Sequence, residues 1–174
     1  ALGLGASGER LFAPTVESEI ADGEYNVTII SGDEEIYMDV TEEEAYDEIE
    51  DRLGILALRL GYKPKGMELK KVYIDENMGE AQMEFYYKNS ILKVYENKQS
   101  TIATFDTQFD GEVVDSIDMF QYDIKMDILK IEGDSSSDFF ATQLEKGNAY
   151  YSMSSNLDID EFEKIILGIF LKSV

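Results

Sequence analysis

Carboxylates carry nearly all the chemistry open to this sequence. Thirty-seven Asp and Glu stand against 15 Lys and Arg in 174 residues, with no histidine and no cysteine. Histidine is the side chain whose ordinary pKa lies nearest neutrality. Its absence removes Ser-His-Asp triads, Cys-His pairs and imidazole zinc sites. The absence of cysteine removes thiolate nucleophiles, iron–sulfur clusters and disulfides. Paired carboxylates could still hydrolyse a glycoside, which needs two of them roughly 5–9.5 Å apart. With so many acids such a pair arises by chance, and there is no Trp to serve as a sugar platform. Calcium also takes carboxylate and carbonyl oxygens. Asp75-Glu76-Asn77 and Asp158-Ile159-Asp160-Glu161 offer them, but neither has EF-hand spacing. The first reads as a turn and the second as a helix cap. Gly3-Leu4-Gly5-Ala6-Ser7-Gly8 has the glycines of a phosphate loop without its strand, Lys or helix. No catalytic, cofactor-binding or metal-binding residue is assigned, no cofactor is expected, and the ligand-binding residues stay unknown.

Six tyrosines in strand-like stretches (Tyr86, Tyr87, Tyr95, Tyr122, Tyr150, Tyr151) suit sheet packing, a ligand cleft or an exposed patch. Adjacent strand residues face opposite ways, so one of Tyr86-Tyr87 and one of Tyr150-Tyr151 is expected to point out of the core.

The net charge of −22 argues against nucleic acid and anionic membrane surfaces, which are bound by Lys and Arg. The charge is unevenly spread. Residues 1–52 hold sixteen acids and two bases, Arg10 and Arg52; residues 53–105 hold six acids and eight bases; residues 106–174 hold fifteen acids and five bases. Lys63, Lys65, Lys70 and Lys71 cluster in the middle third. They read as guards of a strand edge, or as a docking patch for an acidic partner or for the chain's own acidic N-terminal third. No apolar run approaches the roughly 18 residues of a membrane span. Ala1-Leu2-Gly3-Leu4-Gly5-Ala6, without an initiating Met, reads as the stump left after removal of an upstream signal or anchor helix.

Residues 1–22 have no period and read as a linker or loosely attached arm; residues 23–174 read as one domain. Tyr25, Val27 and Ile29, then Ile36, Met38 and Val40, alternate around a Ser31-Gly32-Asp33-Glu34 turn and predict a hairpin. Thr41 and Glu44 form a capping box for a helix over 42–53, ended by Gly54. Residues 55–62 fit a strand or a continued helix. Three antiparallel strands follow: Leu69–Ile74, a run through Ala81, Met83, Phe85 and Tyr87, and Ile91–Tyr95. Residues 101–105 add a short strand. Phe120, Tyr122, Ile124, Met126 and Ile128 alternate until a one-residue slip at Ile128-Leu129 predicts a bulge. Gly133–Asp138 reads as a loop. A hairpin turning at Gly147 and an amphipathic helix over 158–172, capped by Asp158 and stapled by Leu157 and Phe162, complete the chain.

Two stretches carry a family resemblance. One is the capped acidic helix followed by Leu53-Gly54-Ile55 and Tyr62-Lys63-Pro64-Lys65-Gly66-Met67. The other is Gly147-Asn148-Ala149-Tyr150-Tyr151 followed by Asp160-Glu161-Phe162-Glu163-Lys164-Ile165-Ile166. Together, over roughly residues 42–170, they resemble the bacterial family catalogued as domain of unknown function 4367. The resemblance implies an outward-facing C-terminal domain of Gram-positive membrane-anchored proteins, some with anti-sigma-factor or sensor architectures. It implies no chemistry.

The expectation is an α+β domain, with an antiparallel sheet of six to eight strands against a short helix in the N-terminal half and a C-terminal amphipathic helix. The preferred function is a non-catalytic, extracytoplasmic interaction or sensing domain of a membrane-tethered regulator on the cell-surface side of a bacterial membrane. Its partner is a protein or small ligand, and the membrane is reached only through the missing anchor. The alternatives are a carrier or sensor of an apolar ligand in a sheet–helix cavity, and a carboxylate-dependent hydrolase.

Overall fold

The computed structural model describes residues 25–98, 111–132 and 138–172. The expected arm over 1–22, the Gly3–Gly8 stretch, the 101–105 strand and most of the Gly133–Asp138 loop lie outside the described residues. β1 (Val27–Ser31) and β2 (Glu34–Met38) form the expected hairpin, turning through Gly32 at φ +61°. α1 (Glu42–Leu53) begins at a reciprocal cap. The Thr41 hydroxyl accepts from Glu44 N–H at 3.2 Å, and Glu44 Oε1 accepts from Thr41 N–H at 2.9 Å. It ends at Gly54, whose φ of +72° favours glycine.

The ambiguous stretch resolves into a short strand, β3 (Leu58–Leu60). β4 (Glu68–Asp75), β5 (Glu80–Tyr87) and β6 (Ser90–Lys98) are the predicted meander. β7 (Glu112–Met119) runs into a 3-10 turn at Phe120–Tyr122, and β8 (Ile124–Ile131) returns along it. β9 (Phe139–Lys146) and β10 (Ala149–Ser155) form the hairpin at Gly147. α2 (Ile159–Leu167) and β11 (Ile169–Leu171) follow.

Nine strands make one sheet in the order β2-β1-β4-β5-β6-β10-β9-β8-β7, and β3 pairs with β11 in a second, small sheet. Three expectations need correction. The main sheet has nine strands, not six to eight, and it is mixed, because β1 and β4 are parallel. β7 escaped notice because it is an edge strand whose first four residues are exposed and lack apolar alternation. Parallel neighbours need a long crossover, and the run through β2, α1 and β3 supplies it.

The alternation from Phe120 to Ile128 is not one strand. Asp123 takes φ +54° and breaks it, leaving Phe120 86% exposed. The expected irregularity at Ile128-Leu129 is a register shift whose extra residue, Val114, lies on the partner strand β7. The third correction concerns the last helix, which stops at Leu167 instead of reaching 172. There Gly61 N–H donates to Gly168 O at 2.8 Å, and a Cβ on Gly168 would stand 2.9 Å from Tyr62 Cβ. That close approach of two backbones turns the chain out of the helix and into β11.

One core joins both helices to one face of the main sheet. α1 contributes Ala45, Tyr46, Ile49 and Leu53, and α2 contributes Phe162, Ile165 and Ile166. Opposite them lie Val27, Ile29, Val72, Ile74, Met83, Phe85, Leu92, Val94, Met126, Ile128 and Met153. Each such burial stabilises by about 1.5–3 kcal/mol before the entropy of ordering is subtracted.

Candidate functional site

The short strand β3 explains the polar groups that the core contains. It pairs on one side with β11, and the amides of Leu58 and Leu60 meet side chains instead. Leu58 N–H donates to Glu96 Oε1 at 2.8 Å, and Leu60 N–H donates to the Tyr46 hydroxyl at 3.1 Å. Just upstream, Ala57 N–H donates to Glu50 Oε2 at 3.0 Å, and the Tyr151 hydroxyl donates to Leu56 O at 2.6 Å. Glu96 is fully buried on the apolar face of β6, beside Leu92 and Val94 in the two-residue period. Desolvation pushes its carboxyl up to about 8, against the pull of the Leu58 amide. It is therefore a neutral acid at pH 7, and its Oε2 makes no hydrogen bond among the described residues. Burial also raises the Tyr46 and Tyr151 phenols above their ordinary value, so both act as neutral hydrogen-bonding groups.

Arg59 lies beside this carboxyl, only 3% exposed. Its guanidinium carbon stands 4.9 Å from the Tyr46 ring centroid. Glu43, Asp47 and Glu50 of α1 lie 3.0, 3.5 and 3.3 Å from its nitrogens. Lys63 pairs with Glu42 on the same helix. Of the lysine cluster noted in the sequence, then, Lys63 docks on the chain's own acidic helix. Lys70 pairs with its strand neighbour Glu68.

Where Tyr151 and Leu56 leave this network they become the inner wall of a cleft of about 360 Å³. Two hairpin tips meet at that end of the sheet: the 3-10 turn between β7 and β8, and the β9–β10 turn. The first contributes Tyr122, and the second contributes Lys146, Gly147, Asn148 and Ala149. Leu171 and Lys172 close the other side. The Tyr122 hydroxyl accepts from Leu171 N–H at 2.8 Å, which holds the C-terminal strand against the turn. The Lys146 ammonium lies 5.9 Å from the Tyr122 ring centroid. Among the described residues, no acid lines this cleft.

Two of the six sequence tyrosines, Tyr122 and Tyr151, therefore meet here. Tyr95 and Tyr150 sit edge-to-face on the opposite sheet face, centroids 6.4 Å apart. Tyr150 faces away from Tyr151 as expected, yet it is buried as well. Tyr86 and Tyr87 are half-buried. The candidate calcium ligands serve as turn and cap. Asp75 Oδ1 accepts from Met78 N–H, Glu76 binds Ser31 and Arg52, Asn77 bonds the Gly32 backbone, and Asp158 accepts from Glu161 N–H. Among the described residues, no group of three or more Asp or Glu is placed to hold a metal ion. Sequence reasoning missed Glu96, although the parity of Leu92, Val94 and Glu96 already places it on the apolar face. It also missed Lys146 and Lys172, which no pattern marks.

The family described as Domain of unknown function (DUF4367) matches residues 57–169. The chain belongs to this family. The DUF4367 match runs from the residue before β3 to the first residue of β11, and so covers both hairpin tips of the cleft; β1, β2 and α1 precede it. No curated protein and no solved structure matches the chain. Around the Gly61–Gly168 contact Tyr62, Leu167 and Phe170 are exposed.

Proposed function

We propose that this chain is a non-catalytic sensing domain, the outward-facing part of a membrane-tethered bacterial regulator, and that it takes a small ligand in the cleft between Tyr122 and Tyr151. The observation that carries this reading is the way the two tyrosines are anchored. One hydroxyl holds Leu56 O, two residues before β3, and the other holds the N–H of Leu171, the last residue of β11 and the partner of Leu58. A ligand that shifts either ring would act on that small sheet, so occupancy has a route into the fold. The volume lies at the low end of small-molecule sites. The raised carboxyl of Glu96 does not favour a hydrolase, because it is enclosed and its Oε1 is occupied by the Leu58 amide. The outward-facing, tethered setting draws on the family resemblance.

The cleft is tested by titrating the 15N-labelled chain with apolar fragments of about a dozen heavy atoms, neutral and charged. The expected result is amide shifts centred on Leu56, Lys146–Tyr151 and Leu171. Shifts confined to other surfaces, or none at millimolar fragment, contradict it. The setting is tested in cells. These 174 residues hold no cysteine, so an exposed Lys125→Cys is the only thiol among them, and the test uses a full-length protein with any cysteine elsewhere changed to Ser. A membrane-impermeant maleimide should label it in intact cells carrying the full-length protein, and labelling only after lysis contradicts the outward orientation.

A further inference from the structure

Resting on that cleft reading, we infer that the ligand is a small anion carried on an apolar body. The cleft inverts the character of the molecule around it. The chain as a whole has net charge −22, yet the charged groups lining this opening are two lysines, Lys146 and Lys172. Elsewhere three buried or half-buried bases are matched. Arg52 binds Glu48 and Glu76, Arg59 meets three α1 acids, and Lys63 pairs with Glu42. Lys146 and Lys172 form no ion pair with a described residue. Lys146 stands instead over the Tyr122 ring, which leaves its charge free for a ligand in the opening.

Two unpaired ammoniums beside a low-dielectric wall attract an anion and repel a cation. The wall itself is apolar: Leu56, Ala149 and Leu171, with the Tyr122 and Tyr151 rings. An inorganic anion would leave that surface unused, and a neutral hydrocarbon would leave both charges unused. A volume of about 360 Å³ equals roughly a dozen water volumes, so the body is of about that many heavy atoms. Lysine is a hydrated point charge without the planar fork of arginine, so the site asks for negative charge and does not dictate the shape of the anionic group. Carboxylate, phosphate and sulfate headgroups share the required chemistry.

The test is a set of titrations of the 15N-labelled chain with octanoate, octyl phosphate, octyl sulfate, octanol, octylammonium, acetate and inorganic phosphate. The three anionic octyl probes should move the cleft amides at concentrations about 10-fold lower than octanol does. Octylammonium should be weaker still. Acetate and inorganic phosphate should need far higher concentrations. Lys146→Gln and Lys172→Gln, both exposed changes, should each weaken octanoate by about 2–5-fold, the range of a solvent-exposed ion pair. They should leave octanol unchanged and leave the amide spectrum outside the cleft as it was. Added salt should weaken the anions and not octanol. The ranking among the three headgroups identifies the anionic group. Octanol or octylammonium equalling octanoate overturns the inference while leaving the cleft as a binding site. So does an octanoate affinity indifferent to both lysine changes. Acetate equalling octanoate overturns the apolar body. If no probe moves a cleft amide, the cleft reading fails with the inference.

Discussion

Two polar regions share Tyr151 and Leu56 and treat charge in opposite ways. Under α1, Arg59 is buried against Tyr46 and faces three acids, while Glu96 and the Tyr46 hydroxyl take up the amides of β3. At the sheet end, Lys146 and Lys172 line an opening with no acid among the described residues. Groups of the first kind, with Arg59 and Glu96 buried and each facing a partner, hold a backbone segment that has a strand on only one side. Convergent, unmatched groups of the second kind are free to meet something else. Burial and pairing therefore separate the structural polar groups of this protein from the candidate binding ones, and residue type does not.

Four changes would break or sharpen that contrast. Glu96→Gln should have the largest effect, and it should depend on pH. The folded pKa, about 8, lies above the ordinary carboxyl value of 4.5. The unfolded chain therefore releases the Glu96 proton first as pH rises. The contribution of this group to stability is fully present below about pH 4.5 and is lost as pH climbs toward 8, by on the order of 5 kcal/mol in total. Urea unfolding of the wild type should weaken across that window more than unfolding of the Gln variant. Parallel profiles would show that the carboxyl is ionised in the fold. Arg59→Ala should cost about 2–3 kcal/mol, below the range of a fully buried pair because Glu43 and Asp47 are mostly exposed. It should leave the cleft amides in place. Unchanged denaturation midpoints would remove the structural role assigned to the α1 cluster.

Tyr151→Phe bridges the two regions. Loss of its hydroxyl leaves Leu56 O without that bond, a cost of about 1–2 kcal/mol, and unlike Arg59→Ala it should shift cleft amides. Asp115→Asn should have the smallest effect. The Asp115 carboxylate holds Glu163 up to about 7, with burial a second cause, while Asp115 itself is lowered by hydrogen bonds from Glu163 and the Ser116 amide. In the variant, the Glu163 side-chain carbon should titrate nearer the ordinary glutamate range, with little change in stability. A midpoint still near 7 would assign the shift to other neighbours.

Local signals in the sequence were read well because their causes are local. The Thr41–Glu44 cap, Gly54, the Asp158 cap and the Gly147 turn each depend on residues within a few positions. The 55–62 stretch stayed ambiguous because β3 is covered on both sides. Arg59, which reads as the polar face of an alternation, is buried, while Tyr62, which reads as apolar, is 38% exposed. The end of α2 depends on Gly168 meeting Tyr62, more than a hundred residues away. The cleft was illegible for the same reason. Its walls come from residue 56, the 122 turn, the 146–149 turn and the last described strand, and no spacing rule connects them.

A ligand seated in this cleft should touch both of its tyrosine rings. Intermolecular nuclear Overhauser contacts between octanoate methylenes and the protein's aromatic protons read this out. Contacts to the rings of both Tyr122 and Tyr151 are expected. Contacts only to exposed rings such as Phe120, Tyr62 or Phe170, with none to that pair, would contradict it.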